Sequence, residues 1–236
     1  MISLEAKRVL VVGGSSGIGF AVARQALGEG ALVTIASRSA EKLQAATLDL
    51  GGHATQQILD CTAADEVAAF LGEGSWDHVV VSAAETATGS VRALPLDCAR
   101  QAMDSKFWGA YHIARSAEIT AGGSLTLVSG AWSVRPSADA VLQAAINAAL
   151  EGLARGLALE LSPVRVNAVS PGLIDTPLWS KMDAAARSAM FEAAAASLPA
   201  KTIGTADDVA GAILYLMRTA FATGTTLRID GGGAIA

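Results

Sequence analysis

The chain has 236 residues and a net charge of −5 at pH 7. Hydrophobic residues make up 52% of it and charged residues 17%, so a large core is easy to build and intrinsic disorder is excluded. Mild acidity without a basic cluster argues against nucleic acid or an anionic membrane surface as a partner. The longest uncharged stretch, Ile119 to Val134, is broken by glycine and serine and is shorter than the roughly 20 apolar residues that span a bilayer.

The N-terminus has no basic start followed by an apolar run, so we expect no signal peptide. Cys61 and Cys98 lie far apart, without the spacing of a metal site or a disulfide framework. We therefore expect a cytoplasmic protein that has reduced cysteines and no metal. The surplus of apolar residues favours contacts between subunits.

Short β-rich runs alternate with longer segments of helical spacing along the whole chain. Continuous apolar runs such as Val9 to Val12 are typical of parallel strands buried on both faces. The pattern predicts one Rossmann-type α/β domain over 1–236, a doubly wound parallel sheet of about seven strands with helices on both faces. The predicted strands are Arg8–Val12, Leu32–Ala36, Gln57–Leu59, Asp77–Val81, Ser124–Ser129, Val164–Val169 and Thr226–Ile229, and the predicted helices are 18–29, 40–49, 63–71, 97–118, 139–161, 183–196 and 206–218. Capping boxes are predicted at Thr62 with Asp65 and at Thr205 with Asp208.

A glycine-rich turn joins the first predicted strand to the first helix. The pattern Gly-x-x-x-Gly-x-Gly in this context is typical of phosphate binding, because glycine lets the backbone approach a pyrophosphate and the helix N-terminus favours negative charge. A turn that merely needs glycine is the plainer alternative, but strand, turn and helix are all present. The turn therefore predicts a dinucleotide site with contacts from Gly13, Ser15, Ser16, Gly17, Ile18 and Gly19.

Two residues after the second strand bear on cofactor choice. Enzymes that prefer NAD usually carry an acid there for the ribose 2′-hydroxyl, whereas an arginine accommodates a 2′-phosphate. Ser37 stands where the acid is expected, and Arg38 follows it. We predict contacts from both and NADP(H) preferred over NAD(H), although Arg38 as a solvated surface charge is the alternative.

Nearly all of the chain resembles the short-chain dehydrogenase/reductase family. The family's Thr-Gly-x-x-x-Gly-Ile-Gly turn is met by Gly13 to Gly19, with Val12 in place of Thr, and its end segment is matched by Asp230-Gly231-Gly232. The resemblance implies further cofactor contacts after the later strands. These are Asp60 and Cys61 near the adenine, Ser82, Ala83 and Ala84 in an altered Asn-Asn-Ala-Gly turn, and Pro171, Gly172, Ile174 and Thr176 in the segment that covers the nicotinamide.

The catalytic set that the resemblance implies is absent. The family uses a Tyr-x-x-x-Lys pair on the fifth helix, a Ser after the fifth strand and an Asn on the fourth helix; the matching positions here hold Gln143, Asn147, Gly130 and Lys106. A neighbouring lysine lowers a tyrosine's pKa so that it supplies a proton, but glutamine has no proton to give. The chain's two tyrosines, Tyr111 and Tyr215, have no lysine four residues later. The family's usual proton donation is therefore excluded.

Four polar residues remain as catalytic candidates near the nicotinamide. A partly buried Lys106 has a lowered pKa and serves as an acid or cationic donor, or it only bonds carbonyl groups of the neighbouring strand. Ser129 polarises a substrate oxygen or caps its strand. Gln143 and Asn147 orient a substrate and the ribose hydroxyls, or fill helix positions beside a polar cavity.

Two functions follow from these residues. The first is an NADP(H)-dependent oxidoreductase that acts on a small carbonyl or imine substrate through an atypical site. Its proton donor is Lys106 or a water, and an iminium substrate needs no donor. The second is a catalytically silent protein on the same fold that binds NADP(H) or senses a ligand.

The remaining expectations concern the lid and the assembly. The apolar segment at about 175–200 is predicted to cover the cleft, with Trp132 and Trp179 as walls. The resemblance implies a homodimer or homotetramer packed through the fourth and fifth helices and the last strand. Small residues at Ala144, Ala148 and Gly152 permit close approach of a partner helix, unless they are buried within the subunit.

Overall fold

The computed structural model describes residues 2–236 and contains a seven-stranded, entirely parallel sheet. Its strands are β1 (Arg8–Val12), β2 (Leu32–Ser37), β3 (Thr55–Ile58), β4 (Trp76–Val81), β5 (Ile119–Val128), β6 (Arg165–Pro171) and β9 (Thr226–Ile229). The strand order is β3-β2-β1-β4-β5-β6-β9, so the chain reverses its winding between β1 and β4. A separate two-stranded ladder pairs β7 (Ile174–Asp175) with β8 (Gly204–Thr205). The predicted Rossmann-type fold is confirmed.

Helices cover both faces of the sheet because successive strand residues point to opposite sides. In β1, Val9 and Val11 pack in one core cluster and Leu10 and Val12 in the other. The first face holds α1 (Gly17–Gly28), α2 (Ala40–Asp49) and α8 (Ala206–Arg218), and the second holds α3 (Ala64–Leu71), α5 (Gly109–Ser116) and α6 (Val141–Glu160). The two remaining α-helices are α4 (Leu96–Met103) and α7 (Ala184–Ser197).

The predicted helix 97–118 is wrong as one continuous α-helix. A π-helical turn, Asp104–Trp108, lies between α4 and α5. Hydrophobic periodicity does not reveal such a turn, because the extra residue per turn changes only the local phase of the helix. The short ladder of β7 and β8 was also not predicted, since two-residue strands leave no periodic signal.

One of the two predicted capping boxes is present. Thr205 accepts a hydrogen bond from the backbone of Asp208, whose carboxylate accepts from the backbone of Thr205. The box at Thr62 is wrong because α3 begins after Ala63 without a side-chain cap. The Thr62 hydroxyl donates instead to the Asp60 carboxylate, at 2.8 Å.

Within residues 2–236, no helix is long and apolar enough to cross a membrane, and no group of three or more potential metal ligands is found. Both cysteines are free. The segment predicted as a lid consists of a 3₁₀ turn at Pro177–Trp179 and the helix α7, none of whose residues is buried. Its role as a lid, the single-domain organisation and the cytoplasmic location stay predictions.

Candidate active site

The residues predicted to bind a dinucleotide meet at the carboxyl edge of the sheet. The Gly13 amide donates to the carbonyl oxygen of Ala36 at the end of β2, at 2.8 Å. The Ala83 amide donates to the carbonyl oxygen of Val12 at 3.1 Å, which ties the loop after β4 to the same turn. This edge lies where the strand order reverses, the usual position for ligands in open parallel sheets.

Two glycines show that the turn between β1 and α1 is a close-packed cradle. A methyl group on Gly13 would lie 2.6 Å from the backbone nitrogen of Ala83, a distance that real side chains do not tolerate. Gly17 has φ +55°, and a methyl group there would lie 3.6 Å from the Thr176 side chain. The first and last predicted cofactor segments are therefore neighbours at this turn.

Polar side chains surround this cradle. The Ser15 hydroxyl donates to that of Ser37 at 3.1 Å, and Ser16 precedes α1 without using its side chain as a cap. Arg38 lies beyond them and forms an ion pair with Glu85 at 2.7 Å. The hydrogen bond to that carboxylate raises the pKa of the Arg38 guanidinium above its ordinary value.

The residues after β3 and β4 complete the predicted cofactor site. Asp60 accepts hydrogen bonds from the backbone and hydroxyl of Thr62, which fix its carboxylate in the turn after β3. Cys61 is buried, and desolvation raises the pKa of its thiol. The Ser82 hydroxyl donates to the carbonyl oxygen of Val12 at 3.2 Å.

The π-helical turn places two neighbouring residues at different parts of the site. The buried Ser105 hydroxyl donates to the Glu85 carbonyl oxygen at 2.7 Å and accepts from the Glu85 amide at 3.1 Å. The Lys106 side chain runs instead to the end of β5. Single π-helical turns inside α-helices occur frequently at functional sites.

Lys106 is held by two uncharged oxygen atoms. Its ammonium nitrogen donates to the carbonyl oxygen of Ser129 at 2.9 Å and to Oδ1 of Asn147 at 2.6 Å. Burial lowers the pKa of Lys106 from 10.5 to about 8, because the charged form is poorly solvated. An ammonium group carries three N–H bonds, so two are used here and one remains for a ligand or water.

Asn147 occupies space that a side chain at position 130 would need. A methyl group on Gly130 would lie 2.7 Å from Nδ2 of Asn147. Lys106 and Asn147, for which the resemblance implies the family's asparagine and lysine positions, are hydrogen-bonded to each other. Because Gly130 has no side chain, it leaves room for this pair.

Ser129 turns its side chain into the protein. Its hydroxyl lies 3.0 Å from Oε1 of Glu151 and 3.2 Å from the carbonyl oxygen of Val169, both of which are acceptors. The Ser133 hydroxyl also donates to Glu151, at 2.6 Å. With its one proton committed inside the protein, Ser129 contributes its backbone carbonyl to Lys106.

Gln143 lies one helical turn before Asn147 on α6 and is only 3% exposed. Neither its amide nitrogen nor its amide oxygen has a hydrogen-bond partner among the described residues. Burying an amide in this way is costly, so such a group generally has a ligand or an ordered water as its partner.

The aromatic residues differ in their use. Both tyrosines lie on the surface, Tyr111 at 39% and Tyr215 at 47% exposure. The Trp179 indole donates to the Ile174 carbonyl oxygen at 3.0 Å and packs edge-on against Phe191. Trp132 is 38% exposed in the turn after β5.

Three functional candidates escaped the sequence analysis. Glu151 follows Asn147 by four residues on α6, and this spacing is a signal that could have been used. Glu85 and Ser105 are separated by 20 residues along the chain, and no local pattern relates Glu85 to Ser105 or to Arg38.

Comparison with known proteins decides the family. A family model described as enoyl-(acyl carrier protein) reductase matches residues 12–233. The short-chain dehydrogenase/reductase ucsE of Acremonium sp is 34% identical over 259 residues, which cover 99% of this chain and 97% of that protein. This chain belongs to the short-chain dehydrogenase/reductase family.

Solved structures agree with this assignment. A small-chain dehydrogenase in complex with NADPH has 35% identity and a TM-score of 0.85, with 98% of this chain and all of that one covered. An NADPH-bound short-chain oxidoreductase from Pseudomonas aeruginosa PAO1, described as containing an atypical catalytic center, has 26% identity and a TM-score of 0.90. The match to the latter covers 98% of each chain. This short-chain dehydrogenase/reductase thus has the family fold over nearly its whole length.

Proposed function

We propose that this protein is an NADP(H)-dependent oxidoreductase that acts on a small carbonyl or imine substrate through an atypical site. The observation that carries the proposal is the position of Lys106 beside the carboxyl edge of the sheet, where its third N–H has no hydrogen-bond partner among residues 2–236. The close-packed glycine cradle at the same edge supports cofactor binding.

The cofactor would be held by the phosphate turn and by the loops after β2, β3, β4 and β6. Arg38 favours a 2′-phosphate, and no acid follows β2 to bind a 2′-hydroxyl. The NADPH found in two related structures supports the same assignment. When bound, NADPH supplies a hydride to the substrate carbon.

Lys106 acts as the proton donor in this proposal. A carbonyl oxygen that gains negative charge during reduction needs a proton, and general acid catalysis contributes about 10²–10⁴-fold to such a step. With a pKa of about 8, Lys106 is mostly protonated at pH 7 yet gives up its proton far more readily than an exposed lysine. An iminium carbon needs only the hydride, and there Lys106 donates a hydrogen bond to a neighbouring substrate oxygen.

The neighbouring residues position this lysine and the substrate. Asn147 and the Ser129 carbonyl hold two of its N–H bonds, so the third has a defined direction. The unpaired amide of Gln143 binds a polar group of the substrate or the ribose. Trp132, Trp179 and the segment at about 175–200 would enclose the apolar remainder.

A catalytically silent NADP(H)-binding protein is the second candidate. The exposed tyrosines favour it, because no phenol is available near Lys106. It differs from the enzyme in one measurable respect, since it binds the cofactor without consuming it.

The first test is calorimetric titration with NADPH and NADH, followed by NADPH consumption with panels of carbonyl and imine compounds. We expect tighter binding of NADPH and turnover of at least one compound, which K106M lowers by about 10²–10⁴-fold. K7M is the matched control, because Lys7 pairs with Asp77 at the opposite edge of the sheet. Binding without any turnover would favour the silent protein, and full activity of K106M would exclude Lys106 from the chemistry.

Assembly into a homodimer or homotetramer is part of the same proposal. Ala148 is exposed and Ala144 and Gly152 are partly exposed, so the small residues of α6 are available to a partner helix. Light scattering that gave the 23.8 kDa mass of one chain would exclude this assembly.

A further inference from the structure

We propose that Glu85 is a cofactor-specificity residue that weakens the preference for NADP(H) by competing with the 2′-phosphate for Arg38. This inference rests on the NADP(H) site proposed above, and it assigns a role to a loop acid that lies outside the cofactor motifs. The sequence places no acid directly after β2, but the fold supplies one from the loop after β4.

One partner of the ion pair, Arg38, lies on the wall of a groove. Arg38 lines a groove of about 800 Å³ together with Asp60, Thr62 and Ser105. Pockets of this volume accommodate ligands as large as a nucleoside. Because Asp60 is the residue expected near the adenine, the guanidinium lies at the adenosine end of the site.

The backbone of Glu85 is fixed, so its carboxylate does not drift away from Arg38. Ser105 bonds both the amide and the carbonyl oxygen of Glu85, at 3.1 Å and 2.7 Å, and is itself buried. Separating the two charges therefore takes rotation of the Glu85 or the Arg38 side chain, not movement of the Glu85 backbone. The carboxylate is therefore an intrinsic part of the environment that a 2′-phosphate meets.

The consequence follows from charge. A phosphate monoester carries about −1.5 to −2 charges at pH 7. A 2′-phosphate must therefore share Arg38 with the Glu85 carboxylate or displace that carboxylate, and the two anions repel each other. A ribose 2′-hydroxyl has no charge and can donate a hydrogen bond to a carboxylate. Glu85 thus disfavours the phosphorylated cofactor and tolerates the unphosphorylated one.

The test uses two nucleotides that differ only in the 2′-phosphate, 2′,5′-ADP and 5′-AMP, titrated calorimetrically into the wild-type protein and variants. We expect E85Q to bind 2′,5′-ADP about three- to tenfold more tightly, with 5′-AMP changed by less than about twofold. R38Q should lower the affinity for 2′,5′-ADP by at least about tenfold. The gain in E85Q should shrink at high salt, because the pair is half exposed.

D207N is the matched control. Asp207 pairs with Arg24, and both side chains are 53% exposed, against 54% for Arg38 and Glu85. D207N removes one negative charge at a distant surface position, as E85Q does beside Arg38. It should leave the ratio of the affinities for 2′,5′-ADP and 5′-AMP unchanged.

The outcomes separate this inference from the proposed function. If E85Q binds 2′,5′-ADP no better than the wild-type protein while R38Q binds it much more weakly, Glu85 does not compete with the 2′-phosphate for Arg38. The proposed NADP(H) site then stands without this inference. If wild type shows no preference for 2′,5′-ADP and R38Q changes nothing, the NADP(H) assignment fails and this inference fails with it.

Discussion

Adding one methyl group at Gly130 should disturb the lysine at the centre of the proposed site. Gly130 has φ 167° and ψ 151°, an extended conformation that alanine adopts freely, so backbone strain plays no part. The methyl group of G130A would lie 2.7 Å from Nδ2 and 3.3 Å from Cγ of Asn147, which is buried. Restoring an ordinary contact moves the amide by about 0.7 Å, which lengthens and weakens the 2.6 Å hydrogen bond from Lys106 or breaks it.

The magnitude follows from that single bond. A hydrogen bond to a charged group is worth about 1.5–3 kcal/mol, and alanine recovers about 0.4–1 kcal/mol by restricting the unfolded chain. We expect the free energy of unfolding of G130A to fall by about 1–2 kcal/mol in urea titrations. G156A is the control in the same region, because a methyl group on Gly156 of α6 meets no atom within 4 Å, and it should gain about 0.5–1 kcal/mol.

A double-mutant cycle with N147A tests the cause. In the N147A background the methyl group has no amide to displace, so G130A should cost much less than in the wild-type protein. If G130A is equally destabilising in both backgrounds, the packing of Asn147 over Gly130 is not the reason for the loss.

Three further predictions concern pH and helix capping. For reduction of an identified carbonyl substrate, kcat should be flat below pH 8 and fall about tenfold per unit above it, as Lys106 loses its proton, and K106M should lack this fall. His78 is buried against Ser124, and desolvation lowers its pKa from 6.5 to about 4. Between pH 6.5 and 4, His78 is protonated in the unfolded chain but neutral in the folded protein. It therefore lowers the free energy of unfolding by about 1.4 kcal/mol for each pH unit as the pH falls through this range. In urea titrations, the free energy of unfolding of H78Q should depend less steeply on pH than that of the wild-type protein. Equal pH dependence in the two proteins would contradict this account of His78. Removing the capping box with D208A should cost about 1 kcal/mol, and an unchanged unfolding midpoint would mean that α8 starts equally well without it.

The strands and most helices were predictable because their signals are local. Thr226–Ile229 and 40–49 agree to the residue with β9 and α2, since a buried parallel strand and a short amphipathic helix are each defined by their own side chains. The prediction of one helix over 97–118 was wrong because a π-helical turn depends on the tertiary contacts that its side chains make. Ser105 reaches Glu85, and Lys106 reaches Ser129, contacts that no helical periodicity contains.

The candidate site divides in the same way. The glycine turn, Arg38 and the predicted replacement of the family's Tyr and Lys by Gln143 and Asn147 come from the sequence, because each depends on residue type at a position along one turn, strand or helix. The packing of Asn147 over Gly130, the inward hydroxyl of Ser129 and the pairing of Glu85 with Arg38 join residues 17 to 47 positions apart. Only the tertiary structure decides such pairs, because parallel strands joined by helices bring together loop residues whose separation along the chain carries no local signal.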